Sequence, residues 1–257
     1  MLSNLNILGL YESGLSLREM QLRTGIPRET LRLGLHAMNV RMRHSHPIYR
    51  EPLAEMCESV GLLLGLHTGD GWLGEAWGIS LHSSDHDMIA RTVEVTKEVL
   101  GLEPAVLNKK ENTTVVCSAK SQAIEFFLRY GLPKGPKSRT VGIPLAILTA
   151  NLEVKRSYLK GLFSADGCFH HSGRVGQCRF EVASARLRDG FVILARQLGF
   201  EFRSYSYVHH GGHNRAPLHT AYLGGRENVL RWMMEIGSIC DSHQARFETW
   251  VKLLENI

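Results

Sequence analysis

Two stretches decide how this chain is read: LLGLHTGDG at 63–71 and LKGLFSADG at 159–167, placed 96 residues apart. Each is an apolar, helix-forming run that stops at Asp-Gly: Asp70-Gly71 in the first and Asp166-Gly167 in the second. Small residues recur four apart in each helix, Gly61 with Gly65 and Ser157 with Gly161. Such spacing cuts a groove along one face and lets a second backbone approach closely. A glycine inside a helix costs about 1 kcal/mol relative to alanine, so its repeated presence needs a packing reason. The two helices are therefore expected to pack on each other. Glycine is an ordinary helix stop. Aspartate there is not, because the C-terminus of a helix already carries partial negative charge. Two carboxylates meeting at two negative helix ends call for a cation. A hard divalent ion accepts one or two carboxylates and fills its shell with water and phosphate oxygens.

Outward from these helices the chain repeats itself. After each helix comes an extended pair, a helix ending in Leu-Gly, a hairpin and another helix. Gly101 and Gly199 end corresponding helices, as do Gly131 and Gly237. Trp72 and the pair Cys168-Phe169 follow the Asp-Gly steps, where a strand is expected to enter a core. The expected fold class is α+β, two pseudo-symmetric αββαββα repeats over residues 47–149 and 150–257.

Ahead of them, residues 1–46 read as a small all-α module of helix-turn-helix type. Ser16 and Glu19 have capping-box spacing, Gly25 suits a left-handed turn, and Pro27 opens the next helix. Leu31, Leu35 and Met38 form its buried stripe, and Arg28, Thr30 and Arg32 lie on the other face. The string HSHPIYRE at 44–51 reads as a linker.

Composition narrows the function classes. Apolar residues make up 44% of 257, enough for a core and too many for general disorder. No apolar run approaches the roughly 20 residues of a membrane span, and the N-terminus lacks the pattern of a signal peptide. Five cysteines without a Cys-x-x-Cys motif point to a reducing compartment, cytoplasmic or that of the host genome, and not to secretion. The net charge is +5, and residues 1–50 hold seven arginines against three glutamates. That excess suits a polyanionic partner. Histidines crowd two loops (His170, His171; His209, His210, His213), without the ligand spacing of a zinc site.

The paired motifs resemble those of the LAGLIDADG (dodecapeptide) homing endonucleases in their single-chain, two-motif form, over residues 52–257. The resemblance implies that the lead helices form the interface and that two four-stranded sheets make a saddle over DNA. It implies a magnesium-dependent double-strand break at a long DNA target, with Mn²⁺ as a substitute. Asp70 and Asp166 would bind metal, with Gly69 and Ala165 among the metal ligands. Lys137 and His243, each six residues after a helix-ending glycine, are the candidate catalytic bases or charge stabilisers, with Arg246 a rival of His243. Ser84 and Ser184 are candidates to order water. Asn108, Lys109, Lys110, Asn112 and Thr114 in the first repeat would contact DNA. In the second repeat those positions are Arg174, Gln177, Arg179, Arg203, Tyr205, Tyr207 and Arg215. The sequence departs from the family pattern at Thr68 and Ser164, where an acid is common, and at His67, where the site is normally apolar. His67 is expected at the edge of a core. The partner is double-stranded DNA, with intron RNA as a second partner, and a monomer is expected because one chain supplies both halves. The alternative is a non-catalytic binder of the same fold, a transcription regulator or an intron maturase. No splicing block flanks the repeats, so the chain is expected to be free-standing rather than an intein.

Overall fold

In the computed structural model the chain divides into two units, residues 1–50 and 51–257. The described residues are 4–13, 15–38, 40, 55–74, 78–108, 114–118, 121–208 and 217–255. The side chains of residues 4–6, 114–117 and 121 are not described.

The first unit holds three helices: α1 (Asn4–Glu12), α2 (Leu17–Thr24) and α3 (Arg28–Ala37). The capping box is formed: Glu19 N–H donates to Ser16 Oγ at 3.2 Å, and Ser16 N–H donates to Glu19 Oε2 at 2.7 Å. Gly25 turns the chain at φ +70°, a conformation that L side chains rarely adopt. Tyr11, Met20, Leu31 and Leu35 close a small core of their own.

The second unit begins with α4 (Glu58–Gly69), then β1 (Gly71–Gly74), β2 (Gly78–Ser83), α5 (His86–Leu100), β3 (Ala105–Asn108), β4 (Thr114–Ser118) and α6 (Ser121–Arg129). The order recurs as α8 (Leu152–Asp166), β5 (Gly167–Ser172), β6 (Val175–Val182), α9 (Ala185–Gln197), β7 (Arg203–Val208), β8 (Pro217–Gly224) and α10 (Arg226–Glu235). Between the copies lies the single turn α7 (Leu145–Leu148), and α11 (Asp241–Glu255) follows the second copy. The repeat pattern in the sequence does not foretell α7 and α11, because neither has a counterpart in the other copy.

Each sheet is antiparallel, ordered β1-β2-β4-β3 in the first and β5-β6-β8-β7 in the second. Strand alternation separates the faces cleanly in β6: Cys178, Phe180 and Val182 are buried, while Gln177, Arg179 and Glu181 between them are partly open. Gly101 and Gly199 end corresponding helices at φ +61° and +83°. Trp72 corrects one expectation. It is 41% exposed rather than entering the core, and Leu73 takes the buried position. Counting from the Asp-Gly step, Trp72 matches Cys168 and Leu73 matches the buried Phe169.

The lead helices cross backbone to backbone. A Cβ at Gly61 would lie 2.7 Å from Val154 O, and one at Gly65 would fall on Tyr158 O and 2.9 Å from Leu162 N. From the other side, a Cβ at Gly161 would lie 2.5 Å from Leu62 O and 2.9 Å from Leu66 N. Ser157, which stands where Gly61 stands in the first copy, is half-buried beside Glu58 and Leu62. Val60, Leu63, Leu64, Leu159, Leu162 and Phe163 carry the rest of both helices into one core.

Candidate metal-dependent active site

The crossing delivers the two Asp-Gly steps to one place. Asp70 caps α4, its N–H still donating to Leu66 O at 3.1 Å. Asp166 is the last residue of α8. A Cβ at Gly69 would lie 2.5 Å from Ala165 Cβ and 3.1 Å from Asp166 Oδ2. The tails of the motifs therefore touch through Gly69 and Ala165, and the Asp166 carboxylate lies against the end of the opposite helix.

Burial and mutual repulsion act on these acids. The Asp70 pKa is pushed up to about 7, by burial first and by the Asp166 charge second, against the pull of Lys137. The Asp166 pKa is raised to about 6 by burial, again against Lys137. Lys137 is itself 7% exposed. Its Nζ donates to Thr68 O and Gly69 O, each at 2.6 Å, so it also answers the partial negative charge at the end of α4. Burial pulls its pKa down, and Asp166 and Asp70 hold it up. The loop that carries Lys137 is fastened on both sides: Gly135 N–H donates to Leu73 O at 2.7 Å, and Val141 N–H donates to Lys137 O at 2.8 Å.

His243 packs against the last turn of α8. It is buried, its Nδ1 is 2.8 Å from Ser238 Oγ, and its ring is 5.8 Å from that of Phe163. Burial and the neighbouring Arg246 lower its pKa, against Asp85. Arg246 Nη1 reaches Cys168 Sγ at 3.9 Å, two residues beyond Asp166. Lys137 is thus the cation that both carboxylates feel, and the second copy has no lysine in the matching place.

The departures from the family pattern have structural explanations. Thr68 Oγ1 donates to Leu64 O at 2.7 Å and accepts from Tyr158 OH at 3.1 Å, tying the two halves together. Ser164 Oγ donates to Lys160 O at 2.7 Å and accepts from Ile239 N–H at 2.8 Å. His67 is buried, with its ring 4.3 Å from that of Phe127, and burial lowers its pKa to about 3. It is a neutral core residue. Ser184 N-caps α9 and donates to Val141 O at 2.7 Å. The matching N-cap of α5 is Asp85, not Ser84. Ser184 is thus held by cap and backbone, which explains its place without a role in ordering water.

The candidate DNA-contacting residues divide. Arg28, Thr30 and Arg32 are exposed on α3, with Arg32 Nη2 2.6 Å from Glu29 Oε1. Gln177, Arg179, Arg203, Tyr205 and Tyr207 lie on the open face of the second sheet, in register across β6, β8 and β7. Arg174 sits exposed at the β5–β6 turn, and Asn108 closes the exposed strand β3. Lys109, Lys110, Asn112 and Arg215 fall outside the described residues, as do the histidines at 209, 210 and 213; the side chain of Thr114 does so too. Sequence reasoning missed Glu181 and Tyr158. Glu181 carries the wrong charge for a search aimed at basic residues, and Tyr158 reads simply as core.

A carboxylate pair with backbone carbonyls beside it is hard oxygen chemistry. Among the described residues no three His, Cys, Asp or Glu side chains gather into a metal cage. The donor set fits an ion that takes two protein carboxylates and finds its other ligands in water and phosphate, as Mg²⁺ does.

Comparison with known proteins bears on the fold. Residues 153–237 match the family model of the LAGLIDADG-like domain. A structure of variants of the homing endonuclease I-DmoI superposes with a TM-score of 0.52 at 12% identity, over 71% of this chain and 96% of that one. I-DmoI in complex with DNA and Ca gives 0.51 at 13% identity, over 75% and 98%. The N-terminal LAGLIDADG domain of DUF199/WhiA gives 0.50 at 12% identity, over 73% and 87%. By sequence, a tRNA-splicing ligase RtcB from Pyrococcus abyssi is 32% identical over 123 residues, 42% of this chain and 13% of that protein. Its counterpart from Methanopyrus kandleri is 26% identical over 202 residues, 68% of this chain and 20% of that protein. The chain thus spans a fifth or less of these two relatives. The fold is that of the LAGLIDADG homing endonucleases. Among the described residues, no helix is long and apolar enough to cross a membrane.

Proposed function

We propose that this chain is a site-specific DNA endonuclease that uses a divalent metal, Mg²⁺ or Mn²⁺ in its place, to break both strands of a long target. One observation carries the reading. Asp70 and Asp166 are held together at the ends of two helices whose backbones touch, with Lys137 feeling both. Such a pair is costly to keep without a cation. The solved complexes of I-DmoI with DNA and Ca support the same use of the fold.

Asp70 and Asp166 would hold the metal, with the carbonyls of Gly69 and Ala165 as further candidate ligands. Bound there, a divalent ion supplies a water of lowered pKa and charge on the scissile phosphate. The chain's own residues do the rest. The Gly65–Gly161 crossing fixes the separation of the carboxylates, so the geometry is set by backbone contact rather than by mobile side chains. Lys137 brings a positive charge into a water-poor site, where it counts for more than in bulk solvent. The open faces of the sheets, with Gln177, Arg179 and Arg203, are the surface offered to the groove. Residues 1–46 would add a second DNA contact through Arg28, Thr30 and Arg32, and a single chain would act as a monomer.

The second reading is a non-catalytic binder, favoured by the fold shared with DUF199/WhiA. Retention of both carboxylates argues for the enzyme. Selection of bound and of cut duplexes from a randomised library with Mg²⁺ separates the two. The enzyme yields a discrete long site that is recovered as cleaved ends. Sites bound but never cut would establish the binder.

A further inference from the structure

The open face of the second sheet carries an acid where a DNA-facing surface is otherwise basic and aromatic. Glu181 lies on β6, two residues from Arg179, and lines with Asp166, Cys168, His170 and Arg179 a cavity of about 420 Å³. Three donors converge on one of its oxygens. Arg179 Nη2 donates to Glu181 Oε2 at 2.7 Å, and Tyr207 OH and Thr220 Oγ1 each donate to the same oxygen at 2.9 Å. Arg179 Nη2 also donates to Tyr205 OH at 3.2 Å. The register places these side chains together: Glu181 opposes Thr220, Arg179 opposes Tyr222, and Thr220 opposes Tyr205.

Two groups in this net have capacity left. All three bonds fall on Oε2, which leaves Oε1 to accept from a ligand. The Arg179 side chain is 35% exposed, and with Nε buried beneath it the fork it can offer is Nη1 with Nη2, once Nη2 exchanges its exposed 3.2 Å bond to Tyr205 OH for a ligand. An acceptor and a planar donor fork are therefore held side by side on a strand, next to a catalytic carboxylate.

From this geometry we infer that Arg179 and Glu181 act as one specificity-determining couple that reads a single G·C pair near the scissile phosphates. The inference rests on the DNA-binding reading given above. In the major groove, guanine offers O6 and N7 as acceptors, which suit an arginine fork. Cytosine offers its N4 amine as a donor, which suits a carboxylate. An A·T pair can donate to the carboxylate from adenine N6, but neither of its bases sets two adjacent acceptors before the fork, so the bidentate arginine contact is lost. The carboxylate also repels phosphate, so Arg179 is kept for a base rather than lent to the backbone. The matching positions of the first repeat, counted from the helix caps Asp85 and Ser184, are Ser80 and His82. Hence only the half-site under the second repeat carries the preference.

The test uses the full chain in metal-free buffer, so that binding is read without cleavage. Fluorescence anisotropy is measured on the selected target and on duplexes with each base pair substituted in turn. The expected profile shows one position, in one half-site close to the centre, where G·C is favoured by about tenfold or more over A·T. Glu181→Gln flattens that position alone and leaves affinity for unrelated duplex unchanged or raised, because one negative charge is gone. Arg179→Lys, which keeps the charge and loses the fork, flattens the same position. Uniform weakening at every position in both variants would overturn the inference and leave Glu181 a structural clamp. So would a profile with no G·C preference in that half-site. Failure of the chain to select any discrete site would instead refute the DNA reading itself, and the inference with it.

Discussion

Gly65→Ala adds one methyl group at the point where the helices cross. In an exposed helix the exchange is favourable, by about 0.5–1 kcal/mol. Here the new Cβ would fall on the Tyr158 carbonyl oxygen, 2.9 Å from Leu162 N and 3.1 Å from Tyr158 C. Carbon–oxygen contacts settle near 3.3–3.6 Å, so the crossing must open by about 1 Å. Overpacking of this kind costs about 1–3 kcal/mol, and the gap it opens elsewhere loses about a quarter to a half of each dispersion contact. The net expectation is a loss of about 1–3 kcal/mol in the second unit. Gly34→Ala in α3 is the control, because nothing lies within 4 Å of its added Cβ. It is expected to stabilise the first unit. All four tryptophans lie between residues 72 and 250, so their fluorescence in urea follows the second unit, while far-UV circular dichroism follows both. A Gly65→Ala protein as stable as the parent, or more so, would refute the claim that backbone contact at this crossing sets the carboxylate geometry.

Three further outcomes are expected. The raised pKa values of Asp70 (about 7) and Asp166 (about 6) mean that the folded chain holds protons the unfolded chain releases. Stability from this source is full below about pH 4 and is lost as pH rises through 6 and 7. Asp70→Asn should therefore raise the metal-free Tm at pH 8, by an amount that shrinks toward zero near pH 4; a difference independent of pH would contradict the burial argument. Lys137→Met should slow cleavage by about a hundredfold or more while target affinity changes little, checked by single-turnover rates beside anisotropy. Removal of residues 1–46 should weaken DNA binding and flatten its dependence on salt, with cleavage chemistry retained; unchanged affinity would show that Arg28, Thr30 and Arg32 do not touch DNA.

Much of the site was legible because it is written in backbone terms. Glycines four apart and an Asp-Gly stop repeated at 96 residues specify a close crossing and a meeting of carboxylates without any knowledge of side-chain placement. Lys137 was also within reach, since its distance from the helix-ending Gly131 sets where its loop can return. The same spacing does not give His243 the contacts that Lys137 makes. The segment after Gly237 turns into the core, where Ser238 bridges Ser164 and His243. Strand phase explains Trp72: one residue decides which face a side chain takes, and apolar character does not fix it. Glu181 was invisible because its role depends on neighbours in β7 and β8, 26 and 39 residues away in sequence.

The central claim is that Asp70 and Asp166 together hold the metal that cuts DNA. The most direct test places the selected target on a supercoiled plasmid and compares the parent chain with Asp70→Asn and Asp166→Asn, with and without Mg²⁺. The account predicts linear plasmid only from the parent and only with metal, while all three proteins bind the target alike. Metal-dependent linear product from either variant would contradict it.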